Sequence, residues 1–326
     1  MNTSRNDRPS RHQEIDADGT VHPFGRSVSP INASILERFK YVENVPLRGL
    51  SIGGRPALTQ IDPDLIGEYV FFVVRDPLCD YRTEPAEQFA AHLEDPVLAG
   101  RSGMFTTYSG SYKGAKVSVI SGGSGAPEAE LALIELFEHT DATTFIRVGG
   151  SGGMHADVRP GDLVIASGVV RDDGMTAAYV PASYPAAAAP EVVMALTQAA
   201  VESAHPFHVG TTRSTDSDYV QGGRPSCAGY FQPWHLDITE SWSRAGVLNG
   251  DRESSAIVTL ARLFGKRGGS ICSVADNVVT GEEFVSGAGH ERAIEVALEG
   301  IAVLHAMDRK RDSAGLPYWI PALGLV

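Results

Sequence analysis

Tyr69-Val70-Phe71-Phe72-Val73-Val74 is an unbroken run of β-formers that stops at Arg75-Asp76-Pro77. Such a run predicts a strand buried on both faces and ending in a turn. Phe105–Ser111 and Ala115–Ser121 predict a hairpin closed at Tyr112-Lys113-Gly114, whose second arm leads into Gly122-Gly123-Ser124-Gly125. Pro127–His139 sets Leu131, Leu133, Ile134 and Leu136 among glutamates, the pattern of an amphipathic helix. Thr143–Val148 predicts another strand, broken by Gly149-Gly150-Ser151-Gly152-Gly153. Further strands are expected at 162–170, 207–213 and 269–275, and helices at 190–204, 252–265 and 289–308.

Alternating strands and helices predict an α/β fold with a largely parallel sheet. Residues 1–30 are polar and aperiodic, which predicts a disordered tail. Residues 31–64, with a short helical stretch at Ile35–Val42, read as an N-terminal extension. Residues 65–308 read as a single domain, followed by a tail, 309–326, that docks through Tyr318-Trp319-Ile320-Pro321.

Composition narrows the function. The chain has 326 residues and a formal charge of −13, from 27 basic and 40 acidic side chains. That balance argues against a nucleic-acid surface, which needs clustered Lys and Arg. No apolar run reaches the ~18 residues of a membrane span, so no membrane partner is expected. Cys79, Cys227 and Cys272 show neither CxxC nor Cys/His ligand spacing and read as reduced thiols of a cytoplasmic protein. The histidines lack HxxH or HExxH spacing, so no metal site is expected. Glycine is abundant, with 35 residues, and its clusters suit close approach of backbone to a ligand.

Ligands of open α/β sheets sit at the carboxyl ends of strands. Arg75-Asp76-Pro77, Gly122–Gly125, Arg147–Gly153 and Val274–Asn277 all fall there, and no glycine cluster is a dinucleotide fingerprint or a P-loop. Arg147, followed by backbone N–H groups and the Ser151 hydroxyl, has the makings of an anion site; the alternative is an arginine paired with a core carboxylate such as Asp162. Asp251-Arg252-Glu253 stands where a helix begins, fit either to accept hydrogen bonds from the vicinal hydroxyls of a sugar or simply to complement the helix dipole. Gln221 and Arg224 can read an amide-like heterocycle edge or belong to a solvated loop. Asp276 ends a strand as a general acid or as a cap.

Five stretches in one order (FTTYSGSYKGAKVSVISGGSGAP, TFIRVGGSGGM, VRPGDLVIASGVVRDDGMTAAYVPASYPA, HVGTTRSTDSDY and GVLNGDRESSAIVTLARLFGKRGGSICSV) carry a resemblance. Together they cover about 65–308 and resemble the uridine phosphorylase branch of the hexameric nucleoside phosphorylases. The resemblance implies a single-domain fold with a mixed central sheet partly closed into a barrel and flanked by helices. It implies a homodimer or a hexamer built as a trimer of dimers. The implied activity is reversible phosphorolysis of an N-glycosidic bond, with inorganic phosphate as co-substrate and no cofactor. A hydrolytic nucleosidase, or a phosphorylase of purine or modified nucleosides, is the alternative on the same fold.

Carried over by position, the resemblance places phosphate on Arg147, with Gly149, Gly150, Ser151, Asp76 and Arg75 around it. Glu253 takes the ribose hydroxyls, beside Asp251 and Arg252; Gln221, Arg224 and Gly123 face the base; Arg147, Asp276 and Arg224 act in catalysis. The departures are as informative. Cys79 and Gly103 stand where two phosphate arginines are expected, the second lent by a neighbouring subunit, with Arg75, Arg82 and Arg101 close enough in sequence to substitute. Ala57 stands where a histidine reaches the sugar 5′-hydroxyl, and Met104 where a glutamate binds a monovalent ion. Gln221 is displaced by one position, Arg252 replaces a methionine that packs on ribose, and Asp218 replaces an aromatic that stacks on the base. Asp276 matches the aspartate that protonates a purine, whereas Gln221 and Arg224 favour a pyrimidine; the pair of donors weighs more.

Overall fold

The computed structural model describes residues 30–41, 49–76, 79 and 81–324. The tail expected at 1–30 lies outside these residues but for Pro30, which opens helix α1 (Pro30–Leu36). The helical stretch therefore precedes the expected Ile35–Val42, and Val42 itself is not described. A two-residue hairpin, β1 (Ser51–Ile52) and β2 (Arg55–Pro56), leads to the body of the fold.

Its strands are β3 (Tyr69–Val74), β4 (Glu94–Arg101), β5 (Thr106–Tyr112), β6 (Ala115–Gly122), β7 (Thr144–Gly153), β8 (Leu163–Asp172), β9 (Ala186–Ala187), β10 (Phe207–Thr215), β11 (Val247–Asp251) and β12 (Arg267–Asn277). Among the described residues these ten form one sheet in the order β11-β10-β8-β12-β7-β3-β6-β5-β4, with β9 on β8. β11 also pairs with the end of β7, so β11, β10, β8, β12 and β7 close into a five-stranded barrel. The sheet is mixed rather than largely parallel. Hairpin β5–β6 and strand β4 run antiparallel, as do the β11–β7 and β12–β8 contacts.

β3 shows why its sequence is apolar throughout. Tyr69, Phe71 and Val73 enter one core, whereas Val70, Phe72 and Val74 enter the other. The first core holds α2 (Pro85–Ala90), α5 (Pro190–Ser203) and α8 (His290–Ser313) against the sheet; the second holds α3 (Ala126–His139) and α7 (Ser254–Leu263). α4 (Gly174–Tyr179) and α6 (Ile238–Arg244) are short connectors. The β5–β6 turn has Lys113 and Gly114 both at positive φ, the geometry that suits the twist of a two-residue hairpin. α8 continues beyond the expected end at 308, and the chain after it folds back: Lys310 Nζ donates to the Gly324 carbonyl and Trp319 packs on the first core. Among the described residues, no helix is long and apolar enough to cross a membrane.

The run Gly149–Gly153 does not break its strand. β7 continues through it, pairing with β12 on one side and, at Gly152 and Gly153, with Gly250 and Asn249 of β11 on the other. The glycines instead make room. A Cβ on Gly149 would collide with Arg147 Nη1, and one on Gly152 would lie 2.9 Å from Asp276 Oδ1. Backbone without side chains lets two charged groups lie against the barrel rim.

Candidate active site

A cavity of about 360 Å3 opens at the carboxyl ends of β7, β10 and β12, beside β11. That volume lies in the range of small-molecule sites. Its walls carry Arg147, Glu253 and Asp251 at the inner end and Arg224, Asp276 and Arg252 toward the mouth.

Arg147 projects from the middle of β7 and its side chain is 1% exposed. Nε donates to Glu253 Oε2 at 3.0 Å, and Nη1 donates to the Val148 carbonyl. The partner is thus Glu253, not Asp162, which binds His208 Nε2 at 2.9 Å elsewhere. Burial works against the Arg147 charge, but Glu253 chiefly, with Asp251 and Asp76, overrides it and holds the guanidinium protonated. Glu253 occupies the N-cap position of α7, itself buried, and its Oε1 accepts from Ser124 Oγ (3.0 Å) and the Gly125 N–H (2.5 Å). Asp251 ends β11 and accepts from Ser214 Oγ and from the Ser254 N–H and hydroxyl. Burial, with Glu253 beside it, pushes the Asp251 carboxyl above the usual range.

Asp276 and Arg224 meet at 3.4 Å (Oδ2 to Nη2) across the cavity. Asp276 Oδ1 is buried and has no hydrogen-bond partner among the described residues, and burial raises its carboxyl above the usual range despite Arg224. Arg252 Nη1 faces Asp218 Oδ2 at 3.3 Å, and Nη2 donates to the Asp216 carbonyl at 2.9 Å.

Several expected residues are placed elsewhere. The Gln221 amide is engaged by its own surroundings: Nε2 donates to the Asp172 carbonyl while Oε1 accepts from the Asp216 and Ser217 N–H groups. It does not line the cavity. Ser151 Oγ donates to the Ser273 carbonyl and accepts from Asn249 Nδ2, wholly buried. The Gly123 N–H is held by Glu128 Oε1 at 2.7 Å, and Gly149 lies beneath Arg147. Gly150 does line the cavity, but its N–H donates to Cys79 Sγ at 3.1 Å. Asp76 lines it too and borders a second cavity of about 440 Å3, into which Arg75 is turned. There Arg75 binds Glu84, Ser121 and the Met104 carbonyl. Neither Arg82 nor Arg101 reaches the main cavity.

Sequence reasoning missed two groups. Arg213, buried on β10, lines the cavity and donates to Asp172 and to the Gln221 carbonyl (2.7 Å), with Trp242 against its guanidinium at 5.2 Å. It fixes the loop that carries Gln221 and Arg224; its only signal was an arginine inside a strand. Behind Gly150, Tyr81 joins Cys79 to His290, whose Nε2 lies 2.8 Å from the Tyr81 hydroxyl. Burial, reinforced by Arg147, lowers the His290 pKa to about 3, so the ring is neutral at physiological pH. Burial likewise keeps the Cys79 thiol protonated.

The phosphorylase superfamily model matches residues 76–306. The chain belongs to the phosphorylase superfamily. All of the cavity's lining residues, from Asp76 to Val278, fall within the span shared with the superfamily. A uridine phosphorylase of Thermococcus kodakarensis is 38% identical over 219 residues, covering 67% of this chain and 78% of that protein. A uridine phosphorylase of Treponema pallidum is 33% identical over 232 residues, 69% of this chain and 88% of that one. A guanosine phosphorylase of Halorubrum lacusprofundi is 27% identical over 228 residues, 67% and 89% of the two chains. Superfamily membership thus joins proteins named for a pyrimidine and for a purine nucleoside.

Proposed function

We propose that this chain is a nucleoside phosphorylase, a pentosyltransferase that cleaves the N-glycosidic bond of uridine or a related pyrimidine nucleoside with inorganic phosphate. The products are the free base and ribose 1-phosphate. One observation carries the reading: a single cavity holds the buried Arg147–Glu253 pair at one end and the Arg224–Asp276 pair at the other. The superfamily match and the two uridine phosphorylases support it. The residues 65–308 serve as the catalytic unit, working in a homodimer or hexamer in the cytoplasm without a cofactor.

In this reading Glu253 accepts hydrogen bonds from the ribose 2′- and 3′-hydroxyls. Arg147 orients the Glu253 carboxylate through its Nε–H and draws the phosphate toward C1′. As the C1′–N bond lengthens, positive charge develops on the sugar and negative charge on the base. Phosphate stabilises the first, and Arg224, donating to a base carbonyl, stabilises the second. Asp276 retains a proton longer than an ordinary carboxyl and can supply it to the departing base. Holding both reactants in one cavity provides the rest.

The test is uracil release from uridine, followed with and without phosphate and with the sugar product identified. Ribose 1-phosphate formed only with phosphate is expected; equal rates without it, with ribose as product, overturn the reading. A hydrolytic reading is favoured by one observation. The Gly150 N–H and two Arg147 donors already have protein acceptors, which leaves fewer for phosphate. A purine nucleoside is the other alternative, on the strength of Asp276.

A further inference from the structure

Four arginines line the cavity and each meets a carboxylate: Arg147 with Glu253, Arg213 with Asp172, Arg224 with Asp276, Arg252 with Asp218. What remains over differs. Of the four, Arg252 alone keeps a buried guanidinium N–H, at Nε, without an acceptor among the described residues. Its ion-pair partner is also the most exposed of the carboxylates, with the Asp218 side chain 60% accessible. An exposed pair of this kind contributes little to stability, so an incoming anion can replace Asp218 at small cost. Once Asp218 is displaced, the guanidinium can turn its Nε–H, which has no acceptor among the described residues, toward that anion. A guanidinium favours phosphate and carboxylate because its fork of N–H groups matches their oxygens.

Arg252 directly precedes Glu253, and its Nη2 lies 3.6 Å from the position a Cβ on Gly125 would take, the residue whose N–H binds Glu253 Oε1. It therefore stands on the sugar side of the cavity. An anion on the 2′- or 3′-oxygen would face the Glu253 carboxylate and be repelled. The 5′-position is the one left. The geometry points to Arg252 as the residue that selects nucleosides carrying an anion at the sugar 5′-position, a phosphate ester or a carboxylate, with Asp218 holding its place in the free enzyme. This rests on the nucleoside reading of the cavity.

The experiment uses the full chain with phosphate on uridine, uridine 5′-monophosphate and uridine 5′-carboxylate, and on inosine with its 5′-monophosphate. Calorimetric binding of the same compounds runs alongside. The expected kcat/KM for the anionic member of a pair exceeds that for the neutral one at least tenfold. Arg252→Met lowers that ratio at least tenfold, and Asp218→Asn tightens binding of the anionic compounds severalfold. Preference for both uridine anions assigns the effect to charge; preference for the monophosphate alone assigns it to the phosphate ester; either supports the inference. A ratio near one in the unaltered protein overturns it, as does a ratio that Arg252→Met leaves unchanged. If Arg252→Met does not fold, unchanged binding in Asp218→Asn overturns it by itself. Binding that depends on Arg252 with no turnover of any compound rejects the phosphorylase reading and keeps the anion site. Phosphate-dependent turnover of uridine with no anion preference does the reverse. Neither binding nor turnover of any compound counts against both.

Discussion

The two ends of the cavity use the same pair of charges in opposite ways. At the inner end Arg147 and Glu253 are 1% and 2% exposed, and backbone and hydroxyl donors complete the carboxylate's shell. At the mouth, Arg224 and Asp218 are 53% and 60% exposed, and their pairs are longer, at 3.4 and 3.3 Å. An interior pair has no water to fall back on, so each member depends on the other. A pair at the mouth is screened by solvent and can be exchanged for a ligand. The inner end is a fixed frame and the mouth a replaceable contact.

Glu253→Ala breaks the frame most severely. It strands the Arg147 charge in the interior, and removing one partner of a buried pair costs about 3–5 kcal/mol. Urea unfolding should register that loss, together with a fall in nucleoside cleavage of at least ~100-fold. A variant within about 1 kcal/mol of the parent would show that the inner pair is no more locked than those at the mouth. Gly149→Ala attacks the same pair without touching a charge. The added methyl collides with Arg147 Nη1 in a strand interior, and overpacking of this kind costs about 1–3 kcal/mol. Thermal unfolding measures the cost, and an unchanged midpoint would mean that Arg147 has room to move.

Acid probes the buried groups of the site by a different route. His290 lies behind the inner end with its folded-state pKa near 3, below the ordinary 6.5. The stability this neutral ring contributes is complete above pH 6.5 and is lost as pH falls toward 3, because only the unfolded chain takes up the proton. One such group steepens the decline by at most about 1.4 kcal/mol per pH unit. Asp251 and Asp276 act in the opposite sense, since their raised folded-state values make protonation favour the fold. The difference between the parent and His290→Gln isolates the histidine: the variant's midpoint should fall less between pH 6.5 and 4. Parallel curves would remove His290 from the account.

These contrasts also mark how much was legible in the sequence. β3 and the β5–β6 hairpin were readable because their side chains carry the signal, apolar on both faces in one and Lys113-Gly114 closing the other. β11 was not foreseen: Val-Leu-Asn-Gly-Asp looks like a loop, and only its pairing with β10 and β7 makes it a strand. The glycine run was misread for a related reason. A residue without a side chain carries no burial pattern, and what keeps Gly149 and Gly152 bare is the distant arrival of Arg147 and Asp276. The resemblance brought Arg147, Glu253, Arg224 and Asp276 to one expected site, and the cavity holds all four. It did not foresee that Arg252 and Asp218, 34 residues apart, are two halves of one ion pair. Nor did it foresee that buried Arg213 fixes the loop in which the Gln221 amide binds its own backbone.

Asp276→Asn should have the smallest effect on stability and tests the mouth most directly. It breaks the pair with a half-exposed Arg224, so the fold should change by no more than about 1 kcal/mol. If Asp276 supplies a proton to the leaving base, the same change lowers kcat by roughly 100-fold, the lower bound for a lost general acid. Asparagine keeps the shape and the hydrogen-bonding reach of the side chain, so this split between stability and rate separates proton transfer from packing. The pH profile sharpens the point. Burial raises the Asp276 pKa, so the activity that depends on its proton is present at low pH and declines as pH rises through that value. The variant should lack this alkaline limb. A variant with the parent's kcat and the parent's profile would leave Asp276 as the anchor of Arg224 alone, and the mouth as a place that orients the base without protonating it.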